Sequence, residues 1–230
     1  MTERHIVAMG GGQDVGDPVF RYAADLVDRP RPKVCLVPTA ASAVPISVMR
    51  FLSVFPADAF EPTYLDLFDR DDRDLRDFVC SQDLIFVGGG NTANLLAVWR
   101  VHGLDDILRE AWESGVVLAG LSAGANCWFE ASTTDSFGPL AALPDGLGLL
   151  AGSFCPHYAD EPGRRPLYHG LVGDGFPPGT ACDDRAALHF VGTELAEVVT
   201  SVASEGAFRV FTSEDGVQEE PIPARLLVTD

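Results

Sequence analysis

Apolar residues along the chain gather into short runs rich in β-branched side chains, at His5–Met9, Lys33–Val37, Ala59–Leu65, Leu84–Val87 and Val116–Gly120. Between them lie stretches that read as helices, around Val19–Asp28, Ile46–Phe55, Asp71–Phe78, Thr92–Val101 and Leu104–Glu113. Continuous apolar strands separated by helices predict a parallel sheet covered on both faces. Such sheets place their ligands beyond the carboxyl ends of the strands. The expected fold class is therefore α/β, with a doubly wound, mostly parallel sheet.

The pattern loosens in the second half. Ala187–Val191, Glu197–Thr200 and Ala207–Phe211, with Gly and Pro between them, read as short additional strands in antiparallel arrangement. No internal repeat, low-complexity tract or linker interrupts the chain. Its 230 residues suit one domain spanning positions 1–230.

Composition narrows the function classes. A formal net charge of −18 argues against nucleic acid and anionic membrane as partners, since both require a basic surface. An anionic substrate on such a protein needs a local cationic pocket. No apolar run approaches the roughly 18 to 20 residues of a membrane span. The start, Met1-Thr-Glu-Arg-His-Ile-Val-Ala, reads as a first buried strand rather than a leader, which gives a cytoplasmic expectation. Five scattered cysteines (Cys35, Cys80, Cys127, Cys155 and Cys182) form no metal-type pair and read as reduced packing residues.

The chemistry concentrates at Gly120-Leu121-Ser122-Ala123-Gly124, which follows the apolar run Val116–Ala119 and precedes a segment able to continue as a helix. This is a G-x-S-x-G motif in the strand–turn–helix setting that lifts a serine clear of a sheet. Glycine at both ends removes the Cβ atoms that such a turn would crowd. The alternative role for Ser122 is helix capping. A second glycine cluster, Gly88-Gly89-Gly90-Asn91-Thr92, ends the strand Asp83–Val87. The backbone N–H groups of Gly89 and Gly90, beside that of Ala123, are candidates for an oxyanion hole. Asn91 is a candidate for substrate binding, with helix capping as its plainer role. Gly10-Gly11-Gly12 closes the first strand in a similar way, without a complete phosphate-binding fingerprint.

A serine nucleophile needs a base, normally histidine. Among His5, His102, His157, His169 and His189, the choice falls on His157, in Phe154-Cys155-Pro156-His157-Tyr158, with His169 second. His157 follows an apolar run and precedes a polar loop, so it is both anchored and near a cleft. The orienting carboxylate is sought in Asp183-Asp184-Arg185, with Asp160, Glu161 and Asp174 also available. The resulting order, Ser, His, acid, differs from the Ser, acid, His of α/β-hydrolases.

These segments resemble the peptidase E family of serine dipeptidases, which also includes cyanophycinases. The resemblance rests on Val87-Gly88-Gly89-Gly90-Asn91-Thr92, on Gly120 to Asn126 and on Pro156-His157-Tyr158, and extends from the first strand to about Phe190. It implies a flavodoxin-like fold similar to class I glutamine amidotransferases, with Ser122 as nucleophile and His157 as base. It also implies an oxyanion hole at Gly89 or Gly90 and Ala123. The family's third catalytic residue is a glutamate in a Pro-Glu-Gly segment. Asp183-Asp184-Arg185 stands there in this chain, so Asp184 takes that place with a shorter side chain. The family's preference for N-terminal aspartate rests on basic residues after the histidine, and Arg164 and Arg165 are the residues offered here.

The function expected is that of a serine exopeptidase acting on dipeptides or short peptides, without metal or organic cofactor, as a monomer or homodimer. The alternatives are a serine esterase, a cyanophycinase-like hydrolase and an inactive amidotransferase-like binding module.

Overall fold

The computed structural model describes residues 3–227. The first half alternates as the hydrophobic pattern predicts: β1 (His5–Met9), α1 (Pro18–Asp25), β2 (Lys33–Val37), α2 (Val44–Val54), β3 (Glu61–Tyr64), α3 (Leu75–Cys80) and β4 (Leu84–Val87). Two helices in succession, α4 (Thr92–His102) and α5 (Leu104–Glu113), lead to β5 (Val117–Leu121) and the short α6 (Ala123–Asn126).

Local chemistry sets these boundaries. The side chains of Asp17, Asp74 and Asn91 accept backbone N–H groups at the starts of α1, α3 and α4, which satisfies donors that a helix end leaves unpaired. Gly103, at φ 66°, stops α4 in the left-handed conformation that glycine adopts without strain, and α5 begins immediately. Helix α5 buries Leu104, Ile107, Leu108, Ala111 and Trp112, the three-and-four spacing of a single apolar face.

The second half holds more structure than its sequence pattern suggests. It runs β6 (Phe129–Thr134), β7 (Ala141–Leu143), β8 (Leu150–Cys155), α7 (Arg164–Gly173), β9 (Gly179–Cys182), β10 (Ala186–Val191), β11 (Glu194–Thr200), β12 (Ala207–Ser213), β13 (Gly216–Ile222) and β14 (Ala224–Leu226). Two sheets result. One has eight strands in the order β14-β11-β10-β1-β5-β4-β2-β3, and the other six in the order β13-β12-β9-β8-β6-β7. In the first sheet β1, β5, β4, β2 and β3 are mutually parallel, while β10 runs antiparallel to β1. The antiparallel expectation holds for the strands it named, since β10 pairs antiparallel with β1 and β11, and β12 with β9 and β13. The second sheet adds a parallel part, because β8 runs parallel to both β6 and β9.

One large apolar cluster joins the sheets. Ile6, Ala8 and Leu118 of the first pack in the same core as Phe129, Phe154 and Ala207 of the second. The rings of Phe129 and Phe154 stack at 4.8 Å, and Phe190 of β10 meets Phe129 edge-on at 5.8 Å. A separate cluster on the opposite face of the first sheet is built from Phe20, Phe51, Phe55 and Phe86. Cys35, Cys127, Cys155 and Cys182 are buried, and all five cysteines are unpaired. Burial pushes the Cys155 thiol up to about 12, and those of Cys127 and Cys182 well above the ordinary range.

Candidate active site

Ser122 stands at the sharp turn between β5 and α6 with φ 52° and ψ −114°, a backbone conformation that L-residues rarely hold. Two close approaches explain the flanking glycines. A Cβ on Gly120 would lie 3.0 Å from Gly124 Cα, and one on Gly124 would lie 2.7 Å from the Val87 carbonyl carbon. The turn is also tied to β1, because Ser122 N–H donates to the Met9 carbonyl at 3.0 Å. The helix that follows is only four residues long before the chain enters β6.

His157 lies just beyond the end of β8 in the other sheet and also has a left-handed backbone, φ 52°. Its Nε2 is 2.8 Å from Ser122 Oγ, and its Nδ1 is 2.6 Å from Asp184 Oδ1. Asp184 comes from the connection between β9, in the second sheet, and β10, in the first. The three side chains thus straddle the two sheets. His157 and Asp184 have side-chain exposures of 17% and 20%, enough to reach solvent while held in place.

The adjacent acids separate by direction. Asp183 is buried and accepts the N–H groups of Ala159 and Gly206, each at 3.0 Å, and its burial raises the carboxyl pKa. Asp184 faces the imidazole, and its own N–H donates to Asp160 at 2.8 Å. His169, the second candidate base, bonds instead to Tyr158 and Glu219.

Sequence reasoning missed the task of Gly10-Gly11-Gly12. A Cβ on Gly11 would sit 2.5 Å from His157 Nδ1 and 2.9 Å from Asp184 Oδ1, and one on Gly12 would sit 2.5 Å from Asp184 Cγ. The loop after β1 lies flat against the His–Asp pair. Arg185, at φ 58°, donates its N–H to the Gly11 carbonyl at 2.7 Å and closes the arrangement.

A cleft of about 450 Å³ opens beside Ser122 and His157. It is lined by the glycines Gly88, Gly89 and Gly90, by the polar residues Gln13, Asp14 and Arg50, and by the aromatic rings of Phe20, Phe51 and Phe86. Gly88 N–H donates to Val37 and Asn91 N–H to Ala40. The N–H groups of Gly89 and Gly90 between them, and that of Ala123, have no acceptor among the described residues. Asn91 caps α4 and donates to the Ser136 carbonyl at 3.0 Å, so its expected contact with substrate is corrected to its capping role.

Arg164 and Arg165 are also corrected, because neither lines the cleft. Arg164 is 3% exposed, with Nε 2.6 Å from Glu161. Arg165 lies over the rings of Tyr158 and Phe208 and pairs with Glu219 at 3.2 Å. Both guanidinium groups are committed to the scaffold. Arg50 and the aromatic floor carried no local signal, since Phe20 and Phe51 lie in segments that read simply as helices and Phe86 in one that reads as a strand.

A Ser–His–Asp line at a tight strand-to-helix turn is an arrangement used for acyl transfer. The chain belongs to peptidase family S51, whose model matches residues 6–198, and it is accordingly a peptidase of the peptidase E family. It is 45% identical over 229 residues to the uncharacterized peptidase YgaJ of Bacillus subtilis, covering 97% of this chain and 99% of that protein. Peptidase E of Shewanella amazonensis is 32% identical over 162 residues, 66% of each chain. The fold is similar to that of a peptidase from an acI-B1 Actinobacterium, with a TM-score of 0.67 at 20% identity over 94% of both chains.

Proposed function

We propose that this protein is a serine exopeptidase that hydrolyses dipeptides or short peptides through an acyl-enzyme on Ser122. The observation that carries the reading is the continuous line from Ser122 Oγ through His157 to Asp184, at 2.8 and 2.6 Å. In this mechanism His157 Nε2 takes the hydroxyl proton as Ser122 attacks the scissile carbonyl. Asp184 holds the Nδ1–H and stabilises the imidazolium that forms. The developing oxyanion rests on the N–H groups of Gly89 or Gly90 and Ala123. His157 then protonates the departing amine, and a water activated by the same nitrogen releases the acyl group.

The fold reading is flavodoxin-like. Its support is the order β3-β2-β4-β5-β1, which matches the flavodoxin order 2-1-3-4-5 with the first strand of the chain in the fifth place. The core shared by the two sheets supports a single domain. The five reduced cysteines support a cytoplasmic setting, and the net charge of −18 favours a peptide over nucleic acid as partner. No helix among the described residues is long and apolar enough to cross a membrane. Aspartate preference loses the two arginines on which it rested, since these hold Glu161 and Glu219.

The test is labelling with a fluorophosphonate, followed by mass spectrometry and a dipeptide hydrolysis panel. Modification of Ser122 in the native protein, with loss of hydrolysis in Ser122→Ala, is the expected result. Peptide hydrolysis that persists in Ser122→Ala would discard the mechanism.

A further inference from the structure

The cleft has a character of its own beyond the triad. Its floor is aromatic and buried: Phe20 stacks on Phe86 at 4.7 Å, and Phe51 of α2 packs against Phe86 at 6.1 Å. Leu121 joins that floor to the reacting serine. A Cβ built on Gly89 would meet Leu121 Cδ1 at 2.7 Å and Ser122 Cβ at 3.5 Å, so the leucine side chain and the serine border the same glycine loop and line the same cleft. Leu36, from the end of β2, completes the apolar surface.

Arg50 is the one lysine or arginine among the described residues lining this cleft. It is exposed, and helix α2 holds it there because its neighbour Phe51 is locked into the aromatic cluster. Its guanidinium donates to the Gln13 carbonyl at 3.4 Å, and no carboxylate lies within ion-pairing distance of it among the described residues. Many other arginines of the chain are occupied, as in Arg100–Asp145, Arg164–Glu161, Arg165–Glu219 and Arg225–Glu197. On a protein of net charge −18, Arg50 is the local cation that an anionic group entering the cleft would meet.

Resting on the serine exopeptidase reading, we propose that the cleft selects dipeptides whose acylating residue has a large apolar side chain, and that Arg50 holds the free carboxylate of the leaving residue. The floor sets the first preference. An apolar side chain over Leu121, Phe20 and Phe86 is removed from water, whereas an aspartate side chain there would lose hydration without gaining a cation. The rim sets the second. A guanidinium fork matches a carboxylate in geometry, and every dipeptide presents one on its second residue. A blocked or extended C-terminus forfeits that contact, which restricts the enzyme to short substrates.

The experiment measures kcat/KM for Leu-Leu, Phe-Leu, Asp-Leu and leucyl-leucinamide, with the native protein, Arg50→Gln and Arg50→Lys. Leu-Leu and Phe-Leu are expected to exceed Asp-Leu. Leu-Leu is expected to exceed its amide by about tenfold or more. That ratio collapses toward one in Arg50→Gln, mainly through KM, and recovers in part in Arg50→Lys. A preference for Asp-Leu, or a ratio unmoved by Arg50→Gln, overturns the inference.

Calorimetric binding of intact Leu-Leu to Ser122→Ala separates this inference from the chemistry. Binding that weakens on adding Arg50→Gln supports it even if Ser122 fails to label and the nucleophile assignment falls. A Ser122 that labels, in a cleft where Leu-Leu does not bind Ser122→Ala, overturns it and leaves the serine mechanism standing.

Discussion

Gly11 lies so close to His157 that a side chain on it would occupy the space of the imidazole, with its Cβ 2.5 Å from Nδ1. The same Cβ would stand 2.9 Å from Asp184 Oδ1, and Gly11 itself has φ 142°. Gly11→Ala is therefore expected to displace the base rather than merely strain a loop. A misplacement of about 1 Å costs on the order of a hundredfold in rate. Turnover of a dipeptide, read beside the melting temperature, checks this; a Gly11→Ala enzyme within twofold of native would mean that the loop yields and does not position the base.

The two adjacent aspartates should separate cleanly. Asp184→Ala removes the group facing His157 Nδ1 and is expected to lower kcat by about 10³- to 10⁴-fold, with Tm close to native. Asp183→Ala leaves the N–H groups of Ala159 and Gly206 without their acceptor. Both bonds are partly buried, so at about 1 kcal/mol for each one lost Tm should fall by a few degrees. Kinetics and thermal melts of both variants decide the matter, and a larger rate loss in Asp183→Ala would reverse the assignment.

A pH effect on stability is expected far from the cleft. His189 is buried on β10, with His5 Nδ1 at 3.0 Å from its Nε2 and the Tyr22 hydroxyl at 2.8 Å from its Nδ1. Burial first, and His5 second, hold its pKa below the ordinary value; Glu197 pulls the other way, and Arg225 adds to the depression. The unfolded chain then binds this proton more readily than the folded one, so stability rises with pH up to and through the unfolded pKa, about 6.5. Acidification from about pH 7.5 to about pH 5.5 should lower Tm, and the drop should shrink in His189→Gln. Identical drops in the two proteins would remove His189 from the account.

Much of the fold was legible because its cause is local. The five parallel strands and the helices between them follow from apolar runs, caps at Asp17, Asp74 and Asn91, and the stop at Gly103. The turn that carries Ser122 was equally readable, since a strand, a tight glycine turn and a serine occupy consecutive positions. The six-stranded sheet was not foreseen as a unit. Its central strand β8 pairs in parallel with β6 and β9, so no hairpin signature announces the sheet at its middle.

The α/β core, the serine at the end of β5 and the segments that bring a histidine and an acid to it are thus written in local sequence. Long-range packing sets which of Asp183 and Asp184 faces His157, how Gly10-Gly11-Gly12 makes room for that pair, and why Arg50 rather than Arg164 or Arg165 lines the cleft. The reason is physical. A turn or a cap depends on neighbours in the chain, whereas the direction of a side chain and the company it keeps depend on two sheets meeting across a shared core.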